Sequence, residues 1–218
     1  MKAEFWHERW EKGEIGFHQH DFNQYMQEFI DRLEIQPGAH ILVPLCGKSL
    51  DMLWLVKHGY RVTGIEISEL AVQAFFRENA LEHKISTDAV ATVYRSVGLE
   101  IRCQDFFDVQ SKALAPVDAV YDRASLIALP PDMRPLYAAR LSGLIEKGGR
   151  SLLVTLDYPQ HEMNGPPFSV STDEVSTLFN QYRIEPLHSE DCLANEPRFL
   201  KKGLTRLDEH VFILQKME

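Results

Sequence analysis

Residues 41–51 read ILVPLCGKSLD, an apolar run that stops at one glycine and opens into a helical pattern. Nineteen residues after Gly47 a second apolar run, RVTGIEIS at 61–68, carries Glu66. A strand, a tight turn at a helix N-terminus and an acid ending the next strand make a nucleoside-binding half-site. The turn lets a ligand approach backbone N–H groups, and the acid can accept both ribose hydroxyl hydrogens.

Outward from this pair the chain alternates. Strands are expected at 40–44, 61–65, 99–104, 119–121 and 151–156, with helices at 50–58, 69–81 and 132–146 between them. Gly59 and Gly148-Gly149 fall where helix C-caps belong. Continuously apolar strands separated by helices predict a parallel sheet covered on both faces. A helix at 172–182 and strands at 184–188 and 210–215 follow, the last two close enough in sequence for an antiparallel pair. Residues 82–97 exceed a simple connection and leave room for a short extra helix or strand. Upstream, residues 4–33 read as two helical pieces. Trp6 and Trp10 share one face at i and i+4, and Asp21 is the expected cap of a second stretch with an apolar stripe from Phe22 to Leu33. One domain spans 1–218, with residues 1–35 as a helical cover or lid and 38–218 as the core.

The chain has 218 residues, 44% of them hydrophobic and 25% charged, and a formal net charge of −9. That acidity disfavours a nucleic-acid partner, which needs a cationic footprint. The polar start and the lack of any apolar run of membrane length predict a cytoplasmic protein with no membrane partner. Cys46, Cys103 and Cys192 are odd in number and form no CxxC pair, so neither a disulfide framework nor zinc is expected. His18 and His20, two apart, suit no metal motif and read as surface or structural residues, and no metal site is predicted.

Three ligand classes use such a turn. Gly47-Lys48-Ser49 spells the end of a phosphate-binding loop, but Leu42 stands where its first glycine is required, so Lys48 reads as a solvated residue. A dinucleotide fold needs GxGxxG to seat its pyrophosphate, and here Leu45 and Cys46 crowd a turn with the single Gly47. A nucleoside cofactor without phosphates tolerates that crowding, and S-adenosylmethionine is one. Further strand-end residues agree. Asp105, before Phe106-Phe107, can take an adenine amino group under an aromatic cover, and Asp122-Arg123 ends the strand VDAVY. Each has an alternative reading as a cap, or for Arg123 as an ion-pair partner of Asp122 or Glu66. The NGPPF segment at 164–168 follows the fifth expected strand rather than the fourth. With its extra glycine, it argues against a base methyltransferase and for a rigid loop beside a substrate pocket.

EFWHERW, FHQ, PLCGKSLDM, GIEISELAVQAFF, YDRASLIAL and GPPF together resemble the thiopurine S-methyltransferases in their bacterial branch, over about residues 4–214. The resemblance implies a seven-stranded, mostly parallel, Rossmann-like class I methyltransferase sheet, with helices on both faces, an antiparallel last strand and a helical N-terminal cover. It implies methyl transfer from S-adenosylmethionine to the sulfur of small aromatic or heterocyclic thiols, with S-adenosylhomocysteine as product. Selenium and tellurium detoxification is associated with the same branch. By motif match Trp10, Leu45, Gly47, Glu66 and Arg123 contact the cofactor, and Asp105 and Phe106 lie beside its adenine. Trp6, Phe17, Pro167 and Arg198 neighbour the substrate. A thiol that ionises near neutral pH needs no dedicated base, so the expected contributions are alignment, a dry pocket and selection of the thiolate, with Arg123 steering the acceptor. Asp122 is disfavoured as a base because an adjacent arginine lowers a carboxyl pKa. Nothing requires more than a monomer. Other readings are a methyltransferase for a small oxygen or nitrogen nucleophile and a nucleoside-binding module without chemistry.

Overall fold

The computed structural model describes residues 3–217. The central strands are β1 (His40–Val43), β2 (Arg61–Glu66), β5 (Leu99–Cys103), β6 (Val117–Arg123) and β7 (Ile145–Asp157), all parallel. β1 is buried on both faces, with Ile41 and Val43 in one apolar cluster and Leu42 in the other. This is why the run ILV shows no alternation. The helices α3 (Asp51–Lys57) and α4 (Glu69–Glu78) cover one face, and α5 (Arg134–Leu144) with α6 (Thr172–Leu178) covers the other. β8 (Tyr182–Asp191) and β9 (Asp208–Lys216) complete that side, β9 running antiparallel to both neighbours. The expected antiparallel end of the sheet is therefore present.

Among the described residues the sheet has nine strands rather than seven: with β3 (Lys84–Thr87) and β4 (Thr92–Ser96) the order is β3-β4-β5-β2-β1-β6-β7-β9-β8. The additional pair, β3 and β4, is an antiparallel hairpin added to β5. Asp88 reverses the chain there: its Oδ1 accepts the N–H groups of Val90 at 3.0 Å and Ala91 at 2.9 Å. Every residue of β3 is exposed, so KIST carries no burial pattern that could announce a strand.

Other boundaries moved for local reasons. β7 begins at Ile145, so Gly148 and Gly149 lie within the span of that strand instead of capping α5, and the β6–β7 register shifts beside them. α4 stops three residues before 81 because Ala80 turns left-handed at φ 50° and Leu81 N–H bonds back to Phe76. α6 ends at Leu178, since Tyr182 already opens β8. At the N-terminus, α1 (Ala3–Lys12) is followed by α2 (Gln24–Phe29), and the cap of α2 is Asn23, not Asp21. The Asn23 side chain accepts the Met26 N–H at 3.1 Å, the distance an N-cap requires and one Asp21 is too far upstream to reach. Met26, Ile30 and Leu33 are fully buried and fasten this segment to the sheet, each side chain contributing roughly 1.5–3 kcal/mol. α1 has no fully buried residue.

Candidate active site

The turn after β1 is built around a left-handed backbone. Leu45 has φ 44° and Gly47 φ 52°, and the Cys46 N–H continues the β1–β2 ladder by donating to Ile65 at 2.9 Å. The Gly47 N–H then donates to Glu66 Oε2 at 2.8 Å, and the Ser68 N–H to Glu66 Oε1 at 2.8 Å. The Gly47 amide is thus spent on Glu66 and not offered to a ligand, contrary to the expectation from the motif. Each Glu66 oxygen keeps a second lone pair, the site a ribose hydroxyl would use. Burial pushes the Glu66 carboxyl above its ordinary value, opposed by the N–H donors of Ser68 and Gly47. Lys48 is not solvated: its side chain is 12% exposed and pairs with Glu78 at 2.7 Å, closing the turn against α4.

Above the turn lies an aromatic cluster. The Phe17 ring meets Trp10 edge-on at 5.5 Å and Trp6 at 5.9 Å. A Cβ at Gly47 would sit 3.2 Å from Trp10 Cζ2, so the glycine lets the indole descend onto the backbone. These residues roof a cleft of about 270 Å³ at the carboxyl edge of the parallel strands, where open α/β sheets place ligands. Leu45, Gly47, Glu66, Arg123, Pro167 and Arg198 line the same cleft. The Pro167 carbonyl is held by the Tyr158 hydroxyl at 2.6 Å. Arg198 donates to the Gly16 carbonyl, pairs with Glu196 at 3.0 Å and lies 4.6 Å from the Phe199 ring centre, joining the roof to the far wall. His18 also lines this cleft and is half-buried, and burial lowers its pKa.

Arg123 is paired, but with neither of the partners the sequence suggested. Its Nε donates to Asp51 Oδ2 at 3.3 Å, and the same oxygen accepts the Tyr121 hydroxyl at 3.0 Å. Asp51 Oδ1 accepts the Asn23 N–H at 2.8 Å. One buried carboxylate therefore joins the N-terminal segment, α3 and the end of β6. Asp122 behaves oppositely to expectation: burial drives its carboxyl up to about 6, against hydrogen bonds from Tyr137 at 2.7 Å and the Leu126 N–H at 3.3 Å. Arg123 does not depress it because adjacent residues of a strand face opposite sides. What removes Asp122 as a base is its burial on the far face, away from the cleft.

A second recess of about 60 Å³ adjoins the first across Trp6 and Leu45. Asp105 and Phe106 line it, as does Gln104. Asp105 caps its own turn, accepting the Phe107 N–H at 2.9 Å, so the capping reading holds for one oxygen. Gln104 is buried at 7% exposure with both amide atoms unpartnered, an arrangement that asks for a ligand.

Sequence reasoning missed Asp51, Gln104 and Glu209. Asp51 merely ended the run ILVPLCGKSLD, and Gln104 merely ended an expected strand. Glu209, another cleft residue, lies near the start of β9, and an antiparallel strand brings its beginning, not its end, to the ligand edge. Asp157, Asp208 and His210 approach one another closely enough to hold a metal, but Arg206 already bridges both carboxylates.

These features agree with known proteins. A crystal structure of an S-adenosylmethionine-dependent methyltransferase from Anabaena variabilis shares the fold, at a TM-score of 0.68 and 15% identity, covering 98% of this chain and 94% of that one. So does a Burkholderia thailandensis 1,6-didemethyltoxoflavin N1-methyltransferase solved with 1,6-didemethyltoxoflavin and S-adenosylhomocysteine, at 0.65 and 16%, covering 99% and 87%. Thiopurine S-methyltransferases of Nitrosospira multiformis and Pseudomonas fluorescens are 46% and 47% identical over 215 residues, 98% of this chain and 98% and 99% of theirs. The family model for thiopurine S-methyltransferase matches residues 1–217. With that match over nearly the whole chain, and with the turn at Gly47, Glu66 at the end of β2 and the aromatic roof in place, the chain belongs to the thiopurine S-methyltransferase family.

Proposed function

We propose that this protein transfers a methyl group from S-adenosylmethionine to the sulfur of small aromatic or heterocyclic thiols. The observation that carries the reading is the pair of adjoining recesses at the sheet edge, one ending on unpartnered Gln104 and the other on Arg123. The residues fit the cofactor. Glu66 would take the ribose hydroxyls, Gln104 and Asp105 the adenine edge with Phe106 beneath, and Trp10, Leu45 and the Gly47 turn would enclose the amino-acid tail. When bound, the cofactor supplies an electrophilic methyl on a sulfonium whose departure is neutral.

The chain's own work is alignment and exclusion of water. Trp6, Trp10 and Phe17 shut the roof, Pro167 and Arg198 bound the acceptor side, and Arg123 faces the acceptor sulfur. Residues 3–20 serve as a cover that tightens on binding, and the lack of any fully buried residue in α1 supports this. Proteolysis near Gly13 tests that cover, since cleavage unaffected by S-adenosylhomocysteine would refute it. We propose further that the enzyme acts as a monomer in the cytoplasm, without a nucleic-acid or membrane partner. Softer chalcogen nucleophiles of selenium and tellurium fit the same chemistry. Among the described residues no helix is long and apolar enough to cross a membrane.

Calorimetry with S-adenosylmethionine and S-adenosylhomocysteine, followed by methyl-donor consumption on a panel of thiols, tests the reading. Cofactor binding with turnover of an arenethiol is expected, falling with Arg123→Ala. Binding without turnover on any thiol or selenol would indicate a binding module, and methylation of oxygen or nitrogen acids alone would move the enzyme to another acceptor class.

A further inference from the structure

Glu209 and Arg123 face the same cleft from different strands. Glu209 stands opposite Leu156 of β7 and Glu190 of β8, so its position is fixed by two ladders rather than by a loop. Burial raises its carboxyl pKa, Arg123 opposes that rise, and the Glu196 and Glu190 carboxylates add to it. The Tyr25 hydroxyl donates its hydrogen to Glu190 at 2.6 Å. Ile127, Val154, Leu156 and Leu207 give the same cleft apolar lining, with Glu196, Arg198 and Lys202 also lining it. A guanidinium and a carboxylate carried by two strands into one cleft complement a group that presents an electron-rich sulfur beside an N–H donor. Heterocyclic thiones, with S=C–N–H in the ring, carry that pair of atoms.

We infer that Glu209 accepts the ring N–H proton of a heterocyclic thione whose sulfur faces Arg123. This rests on the S-methyl transfer proposed above and assigns a role to a residue that reading did not use. The N–H bond breaks and an O–H bond forms on the Glu209 carboxylate. The released electron pair spreads over N–C–S and leaves thiolate character on sulfur, which is then methylated. The Glu209 proton returns to water once product leaves. Arenethiols that are already ionised bypass the step.

The test uses 6-mercaptopurine, which holds a ring N–H, and 4-nitrothiophenol, which has none. For Glu209→Gln the ratio of kcat/KM for the first acceptor over the second should fall about 100-fold, the lower end of what a general base contributes. Glu209→Asp, which keeps the carboxylate one methylene further back, should recover about a tenth of the wild-type ratio or more, since the proton acceptor is retained. A readout without turnover is the ultraviolet band of 6-mercaptopurine bound to the complex with S-adenosylhomocysteine. It should move to the thiolate position in wild type and stay at the thione position in Glu209→Gln. An equal effect of Glu209→Gln on both acceptors, or a thione band in the wild-type complex, overturns the inference. Should Glu209→Gln fail to bind S-adenosylhomocysteine, Glu209→Asp and the wild-type spectrum decide it alone. Wild-type turnover of neither acceptor overturns the underlying reading as well, which separates the two failures.

Discussion

Removing the Asp51 carboxylate is expected to loosen the fold and the acceptor site together. Asp51 is 1% exposed and accepts three hydrogen bonds, from the Asn23 N–H at 2.8 Å, the Tyr121 hydroxyl at 3.0 Å and Arg123 Nε at 3.3 Å. Asp51→Ala strands two neutral buried donors, each costing about 1–3 kcal/mol. It also leaves a largely buried guanidinium without its counter-charge, and breaking such a pair costs about 3–5 kcal/mol. The losses overlap, since water can enter the vacated space, so about 3–5 kcal/mol in total is expected. For a chain of this size that lowers Tm by roughly 6–20 °C. Urea unfolding followed by circular dichroism measures it. A cycle of Asp51→Asn with Arg123→Met should give a coupling of about 1–3 kcal/mol, because the two side chains touch. The function follows the same line. Asp51 does not line the cleft, so in an Arg123→Met background Asp51→Asn should change kcat/KM by less than about twofold, or 0.4 kcal/mol. A loss below about 1 kcal/mol for Asp51→Ala, or additive single effects, would refute the idea that this carboxylate is the hub.

Three further outcomes follow from single residues. Gln104→Leu removes a buried amide with no partners, so the unliganded protein should gain about 1 kcal/mol while S-adenosylhomocysteine affinity drops about tenfold; a loss of both sends the adenine assignment elsewhere. Gly47→Ala meets both a left-handed backbone and the Trp10 ring at 3.2 Å, so it should cost about 1–3 kcal/mol and shift tryptophan emission to the red, and unchanged emission counts against the contact. Asp122 is raised from 3.8 to about 6, so its favourable contribution is complete below pH 3.8 and lost as pH climbs through about 6. The stability of wild type minus Asp122→Asn should therefore fall by about 3 kcal/mol between pH 3.5 and pH 7, and a constant difference refutes the shift.

Most of the parallel sheet was legible because burial on both faces writes itself into the chain as continuous apolar runs. ILV, RVTGIE and VDAVY all became strands, with Glu66 and Arg123 at their ends. The hairpin β3–β4 was not legible, since its outer strand buries nothing and its reversal depends on one Asp88 side chain. Site residues divided along a similar line. Those announced by a local motif, such as Gly47, Glu66 and the tryptophan pair, converge on one cleft. Those defined by distant contacts stayed hidden. Asp51 meets Asn23 28 positions away and Tyr121 70 positions away, and no spacing rule reaches that far. The partners suggested for Arg123, adjacent Asp122 and strand-end Glu66, failed for that reason: the true partner, Asp51, is brought by α3 from 72 positions away.

The charges around Arg123 also bear on how the acceptor becomes nucleophilic. Selection of a preformed thiolate at Arg123 would ask for that guanidinium to be uncompensated. Arg123 instead pairs with buried Asp51, and half-buried Glu209 shares its field, so an arriving anion meets a guanidinium already balanced by carboxylates. Bringing an anion from water into such a slot costs desolvation that a compensated arginine repays only in part. A neutral thione enters without that cost and can lose its proton inside, where Glu209 changes from anion to acid as the sulfur gains charge beside Arg123. Net charge in the slot is then conserved through the proton step. The acceptor-side geometry therefore favours ionisation after binding, and the acidic chain as a whole, at −9, adds no long-range pull on anions to oppose that order.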